Sequence, residues 1–360
     1  MHLRRRRLAT TTGTIAAVGS ALLLAACSSS STPPSSSTSS GATALSGTIN
    51  GSGSTFQLVY QQAAIQAFKS VQSGMTVNYS GVGSGTGRTN LAAGTVNFAG
   101  SDSPIPAADA STFKSTVLYF PVVIGPITLS YNLSSLSKPL RLTPTVVADI
   151  FQAKITKWND PAIAAINPGV TLPSTPITLA VRSDSSGTTQ NFSLFLMDAV
   201  PSVWTLGSNS TINWPSTARA ASGNGGVAQV IKSTPGAIGY VDYADAKASG
   251  LSFASVQNKS GDYIAPSPTS ASAAAAGVTV MPNLTFAAAW ASGATSYPIT
   301  YQSWVLVYAK QANANDAKLL QAYIGYLIGD GQKLLPSLGY APLPTSIDSS
   351  AKAQLSKITG

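Results

Sequence analysis

The stretch Ile177-Thr178-Leu179-Ala180-Val181-Arg182-Ser183-Asp184-Ser185-Ser186-Gly187-Thr188-Thr189 reads as a strand, a loop and a helix start in direct succession. Ile177 to Val181 is aliphatic and β-branched, which suits an extended strand. Small hydroxyl residues and a glycine follow, then an apolar run from Phe192 to Met197. The same design recurs upstream. Thr76-Val77-Asn78-Tyr79 alternates apolar and polar, as does Val96-Asn97-Phe98. The Thr76 strand leads into Gly81-Val82-Gly83-Ser84-Gly85-Thr86-Gly87 and a short helical pattern through Leu91. Gly51-Ser52-Gly53-Ser54-Thr55-Phe56 precedes Leu58, Ile65, Phe68 and Val71, which recur at near-helical spacing. Thr143-Pro144 before Val146, Val147 and Ile150 is a helix cap, a proline at the first helical position and an apolar face. The alternation predicts an α/β fold, in which ligands favour the carboxyl ends of strands and the N-termini of helices. A Gly, Ala and Ser-rich stretch near 266–277 is expected to be a surface loop.

Each of the three loops sets hydroxyl side chains and unpaired backbone N–H groups at a helix start, where the helix dipole favours an anion. A structural role is open to each of them as well, since Ser and Thr are the commonest N-caps. Neither glycine loop fits a nucleotide fingerprint. A P-loop around Gly87-Arg88-Thr89 would need Gly at 82, where Val stands, and G-x-G-x-x-G fails at Phe56 and Thr86. Two charges add weight. Arg182, at a strand end, is a candidate oxyanion clamp with Asp184 placed to hold its guanidinium, although the same pair fits a surface ion pair. Asp102, in Ala99-Gly100-Ser101-Asp102-Ser103-Pro104, belongs either to a site or to the capping of its own turn.

Composition narrows the chemistry. Of 360 residues 9% are charged, and all 12 acidic residues are Asp. The single His is His2 and the single Cys is Cys27. A chain cut before Cys27 would keep no His and no thiol free for chemistry, which removes Ser-His-Asp and Cys-His catalysis and His/Cys metal sites. No metal or cofactor is expected.

The N-terminus reads as an address. Arg4 to Arg7 precede an uncharged stretch from Leu8 to Ala26, the pattern of a secretory signal. Leu24-Ala25-Ala26-Cys27 resembles the bacterial lipobox, whose Cys becomes the lipid-modified first residue. Residues 1–26 are therefore expected to be a lipoprotein signal peptide and 27–44 a Ser/Pro-rich tether of about 20 Å. Loss of four arginines lowers the formal charge from +9 to +5, so the basicity points to no nucleic-acid partner.

As a set, these motifs resemble the phosphate-binding lipoproteins and periplasmic proteins that serve bacterial phosphate ABC importers. The matching stretches are Gly51–Phe56, Tyr79–Gly87, Val96–Ile105, Phe120–Asn132, Asp149–Phe151, Lys154–Pro161, Val181–Thr189, Pro235–Val241 and Tyr297–Thr300. The resemblance implies a two-lobed periplasmic-binding-protein fold of type II with crossing hinge strands. It places lobe I at 45–126, lobe II at 127–300 and the return to lobe I at 301–360. It implies phosphate contacts from Ser54, Thr55, the backbone N–H of Phe56, Ser84 and Asp102 on one lobe. Arg182, Ser186, Gly187 and Thr188 would come from the other, with Asp184 behind Arg182. Ser185 stands where the family usually has Gly, and Gln57 where Pro is frequent. The implied partners are inorganic phosphate, a membrane permease and its ATPase, met by a monomer at the extracytoplasmic face of the membrane. The alternative is a phosphoesterase-like surface lipoprotein of the same fold, since Thr48-Ile49-Asn50-Gly51 resembles the Asp-Ile-Asn-Gly start of one branch, with Thr48 replacing the Asp. Cys27→Ala is expected to leave the protein without an acyl chain, and mass spectrometry showing no acyl chain on wild-type Cys27 would contradict the anchor.

Overall fold

The computed structural model describes residues 45–134, 136 and 138–360; the signal peptide, Cys27 and the tether lie outside the described residues. The strands are β1 (Gly47–Gly53), β2 (Met75–Gly81), β3 (Phe98–Ser101), β4 (Val117–Tyr131), β5 (Arg141–Leu142) and β6 (Thr178–Arg182). They continue as β7 (Arg219–Ala221), β8 (Ala237–Asp242), β9 (Ser252–Phe253), β10 (Ser255–Gln257), β11 (Tyr263–Ile264) and β12 (Thr300–Tyr308). Among the described residues, nine strands form one sheet in the order β2-β1-β3-β12-β4-β8-β6-β7, with β9 added beside β4. The fold is two-lobed and mixed α/β, organised on this one sheet.

Helices α1 (Leu58–Phe68) and α2 (Ser84–Ala93) follow the parallel strands β1 and β2. Then come α3 (Pro144–Phe151), α4 (Pro161–Ala165), α5 (Gly187–Ala199), α6 (Gly223–Ser233), α7 (Tyr243–Ala248) and α8 (Pro268–Ala275). Helix α5 follows β6, which is parallel to β7 and β8. Both halves therefore aim strand ends and helix starts at the cleft, as parallel βα units do.

Strand β4 joins the halves. It is rich in β-branched and aromatic residues and buried along all but its first residue, the pattern of a strand covered on both faces. From Val117 to Pro126 it pairs with β12; from Ile127 to Tyr131 it pairs with β8. One strand thus runs from one half of the sheet to the other. The β12 register slips between Ser303 and Trp304, whose partners are Val123 and Pro121. Pro121 has no N–H to lose at this bulge. The skipped Val122 carbonyl accepts instead from Gln332 Nε2 at 2.8 Å.

Three local expectations are corrected. In α1 the buried residues are Tyr60, Gln61, Ala64 and Phe68, while Val71 lies beyond the helix end and is exposed. The polar members tolerate burial because they are bonded: Tyr60 Oη donates to the Leu327 carbonyl and Gln61 Oε1 accepts from Tyr323 Oη at 2.6 Å. The strand expected at Val96–Phe98 lies at Phe98–Ser101, bringing Asp102 directly to its end. The Ala/Ser-rich stretch near 266–277 is not a loop. It forms α8, started by a Ser267–Ser270 capping box, and its Ala271, Ala274 and Ala275 are buried where the helix packs on β4 and β12. The Thr143-Pro144 start forms as expected, with Thr143 Oγ1 accepting from Val146 N at 3.3 Å.

The main core runs through both halves of the sheet, with Phe120, Trp158, Tyr240 and Trp304 fully buried. Phe120→Ala is expected to lower unfolding stability by about 3–5 kcal/mol. Chemical denaturation measures this, and a loss under about 1 kcal/mol would contradict Phe120's place in the core.

Candidate functional site

The first loop leaves β1 and enters α1. Ser54 and Phe56 are buried, and the Phe56 ring stacks on Tyr301 of β12 with centroids 4.0 Å apart. Tyr340 Oη donates to the Phe56 carbonyl at 2.7 Å, and Tyr79 Oη to that of Ser54 at 2.9 Å, so the loop is fixed from two sides. Thr55 Oγ1 accepts from the backbone N–H of Asn224, at the start of α6, at 3.3 Å.

The second loop ends at Gly83, whose φ of +89° favours glycine. Ser84 opens α2 and lies against Asp102, donating to Oδ2 at 3.3 Å while accepting from the Asp102 N–H at 3.2 Å. The Asp102 carboxylate is almost wholly buried. Burial pushes its pKa up; hydroxyls of Ser303, Ser54 and Ser84 and the charge of Arg182 oppose the shift without cancelling it. Ser303 of β12 donates to Oδ1. Arg88 in α2, also buried, donates from Nη1 to the hydroxyls of Ser101 and Ser103 at 2.9 Å each, bracketing Asp102.

The third loop follows β6. Arg182 Nε donates to Asp184 Oδ1 at 2.8 Å, and Nη2 donates to Oδ2. Burial works against the charge of both groups, yet their pairing wins: Arg182 is held above its ordinary pKa and Asp184 below its own. With that fork facing Asp184, Arg182 turns its Nη1 edge to Thr188 Oγ1 at 3.4 Å and Asn224 Oδ1 at 3.1 Å. Ser186 caps α5, its Oγ accepting from Thr189 N at 3.1 Å. A Cβ on Gly187 would lie 2.5 Å from Asp102 Cβ and from Ser84 Oγ, so only glycine lets α5 come this close. Ser185 replaces glycine without strain, since it is not among the positive-φ residues. Its carbonyl accepts from Gly85 N at 3.0 Å and its hydroxyl donates to Ser210 at 2.9 Å.

The structure therefore brings Ser54, Thr55, Phe56, Ser84 and Asp102 against Arg182, Asp184, Ser186, Gly187 and Thr188. Direct bonds cross between them: Asn191 Nδ2 donates to the Asp102 carbonyl at 2.7 Å, beside the Gly85–Ser185 and Asn224–Thr55 bonds. Hydroxyls, the start of α5 and one arginine edge gather around one carboxylate, donors and an acceptor of the kind that suit a compact anion carrying a proton.

Sequence reasoning missed Asn224, Tyr301 and Ser303. Asn224 is fully buried between Arg182 and Thr55, and among the described residues neither its Nδ2 nor Tyr301 Oη has a hydrogen-bond partner. The signal for Asn224 was present in Gly223-Asn224-Gly225-Gly226, a fourth glycine-rich helix start. Tyr301 and Ser303 lie inside a strand and carry no local signal.

Residues 38–330 match the PBP superfamily domain. The chain is 35% identical over 328 residues to the phosphate-binding protein PstS of Pasteurella multocida, covering 87% of this chain and 91% of that one. It is 35% identical over 315 residues to the phosphate-binding protein PstS 3 of Mycobacterium leprae, covering 84% of each. In fold it matches a phosphate-bound, high-affinity periplasmic phosphate-binding protein, PfluDING (TM-score 0.71, 22% identity, 86% of this chain and 94% of that one). A phosphate-bound putative phosphate ABC transporter substrate-binding protein from Clostridium perfringens also matches in fold (TM-score 0.62, 16% identity, 83% of this chain and 100% of that one). With a relative this similar over nearly its whole length, and a site assembled from both halves of the sheet, the chain belongs to the PstS phosphate-binding protein family of the PBP superfamily.

Proposed function

We propose that the protein captures inorganic phosphate between its lobes and delivers it to a membrane ABC permease and its ATPase. In this reading it acts as a monomer held by a lipid on Cys27 at the extracytoplasmic face of the membrane. Lobe I comprises 45–126 and 301–360, and lobe II 127–300. The ligand set is Ser54, Thr55, the Phe56 N–H, Ser84 and Asp102 with Arg182, Ser186, Gly187 and Thr188, while Asp184 holds Arg182. Its role is binding rather than hydrolysis, and no feature of the site favours the phosphoesterase alternative.

The observation that carries the reading is the buried Asp102 carboxylate at the centre of an anion receptacle. A carboxylate there repels a bare anion. An ionised Asp only accepts, however, so it welcomes an oxyanion that brings its own proton. Phosphate near neutral pH keeps one or two protons and sulfate keeps none. Sulfate would set two acceptors face to face in a desolvated site.

Three outcomes follow, all read by calorimetry on residues 45–360. Wild-type protein binds phosphate in preference to sulfate, and Asp102→Asn, which can turn an N–H toward the ligand, erodes that preference by about 1–3 kcal/mol; an unchanged ratio would overturn the role of Asp102. The preference also declines as pH falls through the raised pKa of Asp102, because the protonated acid can donate to sulfate. A preference that is flat into the acid range would contradict this. Arg182→Ala weakens every tetrahedral oxyanion, by about 2–5 kcal/mol, since it also strands Asp184; a loss confined to phosphate would exclude Arg182 as a general anion contact.

A further inference from the structure

A hydrogen-bonded chain of side chains runs from the interior of lobe I to Asp102. Tyr323 Oη donates to Gln61 Oε1 at 2.6 Å, and Gln61 Nε2 donates to Gln57 Oε1 at 3.0 Å. Gln57 Nε2 donates to Ser303 Oγ at 2.6 Å and to the Trp304 carbonyl at 2.8 Å. Ser303 Oγ donates to Asp102 Oδ1. Tyr323, Gln61, Gln57 and Ser303 are fully buried. The chain has one direction. The Trp304 carbonyl only accepts, so the nitrogen of the Gln57 amide must face it and Ser303 together. Ser303 Oγ is thereby occupied by a Gln57 proton, and its own proton turns to Asp102, the other acceptor in reach being the Ser101 carbonyl at 3.2 Å. The bulge between Ser303 and Trp304 is where β12 departs from regular pairing, a device that re-aims side chains beside sites.

We infer that Gln57 and Ser303 are positioning residues for anion selectivity, holding Asp102 Oδ1 as a hydrogen-bond acceptor so that Oδ2 is the oxygen that meets the ligand's proton. The inference rests on the proposed phosphate-binding role. A proton on Oδ1 would meet the Ser303 proton head-on, so the chain keeps Oδ1 an acceptor, and the hydroxyl's bond to it favours the ionised carboxylate. The same conclusion follows from the surroundings. Burial drives Asp102 toward protonation, and Ser303, Ser54, Ser84 and the Arg182 charge resist it. The charge of Arg88 in α2 also acts on Asp102, and the phenols of Tyr79, Tyr301 and Tyr340 lie close enough to feel the carboxylate's charge. Removing Ser303 leaves fewer groups holding the carboxylate ionised. Gln57 matters for the same reason: a proline at 57 would bring no side-chain donor.

The test titrates inorganic phosphate and sulfate calorimetrically into wild type, Ser303→Ala, Ser303→Thr, Gln57→Met and Asp102→Asn from acid to mildly basic pH. Ser303→Ala and Gln57→Met are each expected to lower the phosphate-to-sulfate affinity ratio by about tenfold or more. They should also move the loss of preference to higher pH, while Ser303→Thr, which keeps the hydroxyl, restores both. A merely structural role would weaken both anions together and leave the pH midpoint in place, which would overturn the inference. So would Ser303→Ala and Gln57→Met with the wild-type ratio and midpoint while Asp102→Asn loses preference, an outcome that leaves the phosphate-binding role standing. Wild-type protein with no preference for phosphate would instead overturn that role and the inference with it.

Discussion

A carboxylate buried among hydroxyls, helix starts and an arginine is the constraint around which this structure is arranged. Desolvation pushes Asp102 toward its neutral form. Neutral, it would be one more donor in a site already supplied with hydroxyls and helix N–H groups, and it would accept any tetrahedral oxyanion. Keeping it charged requires donors fixed on it before the ligand arrives. Ser84 supplies one from α2 and Ser303 another from β12, while Arg182 contributes charge from the opposite half of the sheet. In the proposed role, donors at the ligand serve phosphate and sulfate alike, and discrimination falls to this single acceptor.

The fold makes that arrangement possible by bringing distant segments onto one cleft. Ser303 and Asp102 are 201 residues apart in sequence and are joined because β12 lies between β3 and β4. Strand β4, common to both halves, lets Arg182 and Gly187 approach Asp102 without a separate domain interface. The Asp184 fork then serves two ends: it steadies the guanidinium, and it offsets a charge that would otherwise stand unpaired in a buried site.

How much of this was legible depends on whether the signal was local. The three glycine and hydroxyl loops could be read because each lies at a strand-to-helix boundary, where the residue types needed by the backbone are the ones that also bind anions. Arg182 and Asp184 are two residues apart, so their pairing could be read as well. Asn224 carried a similar local signal, but the strand before it, β7, is three residues long and largely exposed, so it lacked the apolar run that marked the other boundaries. Tyr301, Ser303 and the Gln57 bond depend on strand order and on a bulge, and Gln57 meets a partner 246 positions away. Helix α8 misled for a different reason: alanine and serine dominate both loops and tightly packed helices, and only the Ser267–Ser270 capping box distinguishes them.

Arsenate and selenate offer the most direct test of the central claim, because the two are close in size and shape while arsenate keeps protons near neutral pH and selenate keeps none. Calorimetric titration of both into residues 45–360 at neutral pH separates the proton from the shape of the ligand. Arsenate is expected to bind and compete with phosphate, whereas selenate binds weaker by about 100-fold or more, the scale of an unpaired buried polar contact. Selenate binding as tightly as arsenate would show that the site measures size and charge alone, and that Asp102 does not read the proton.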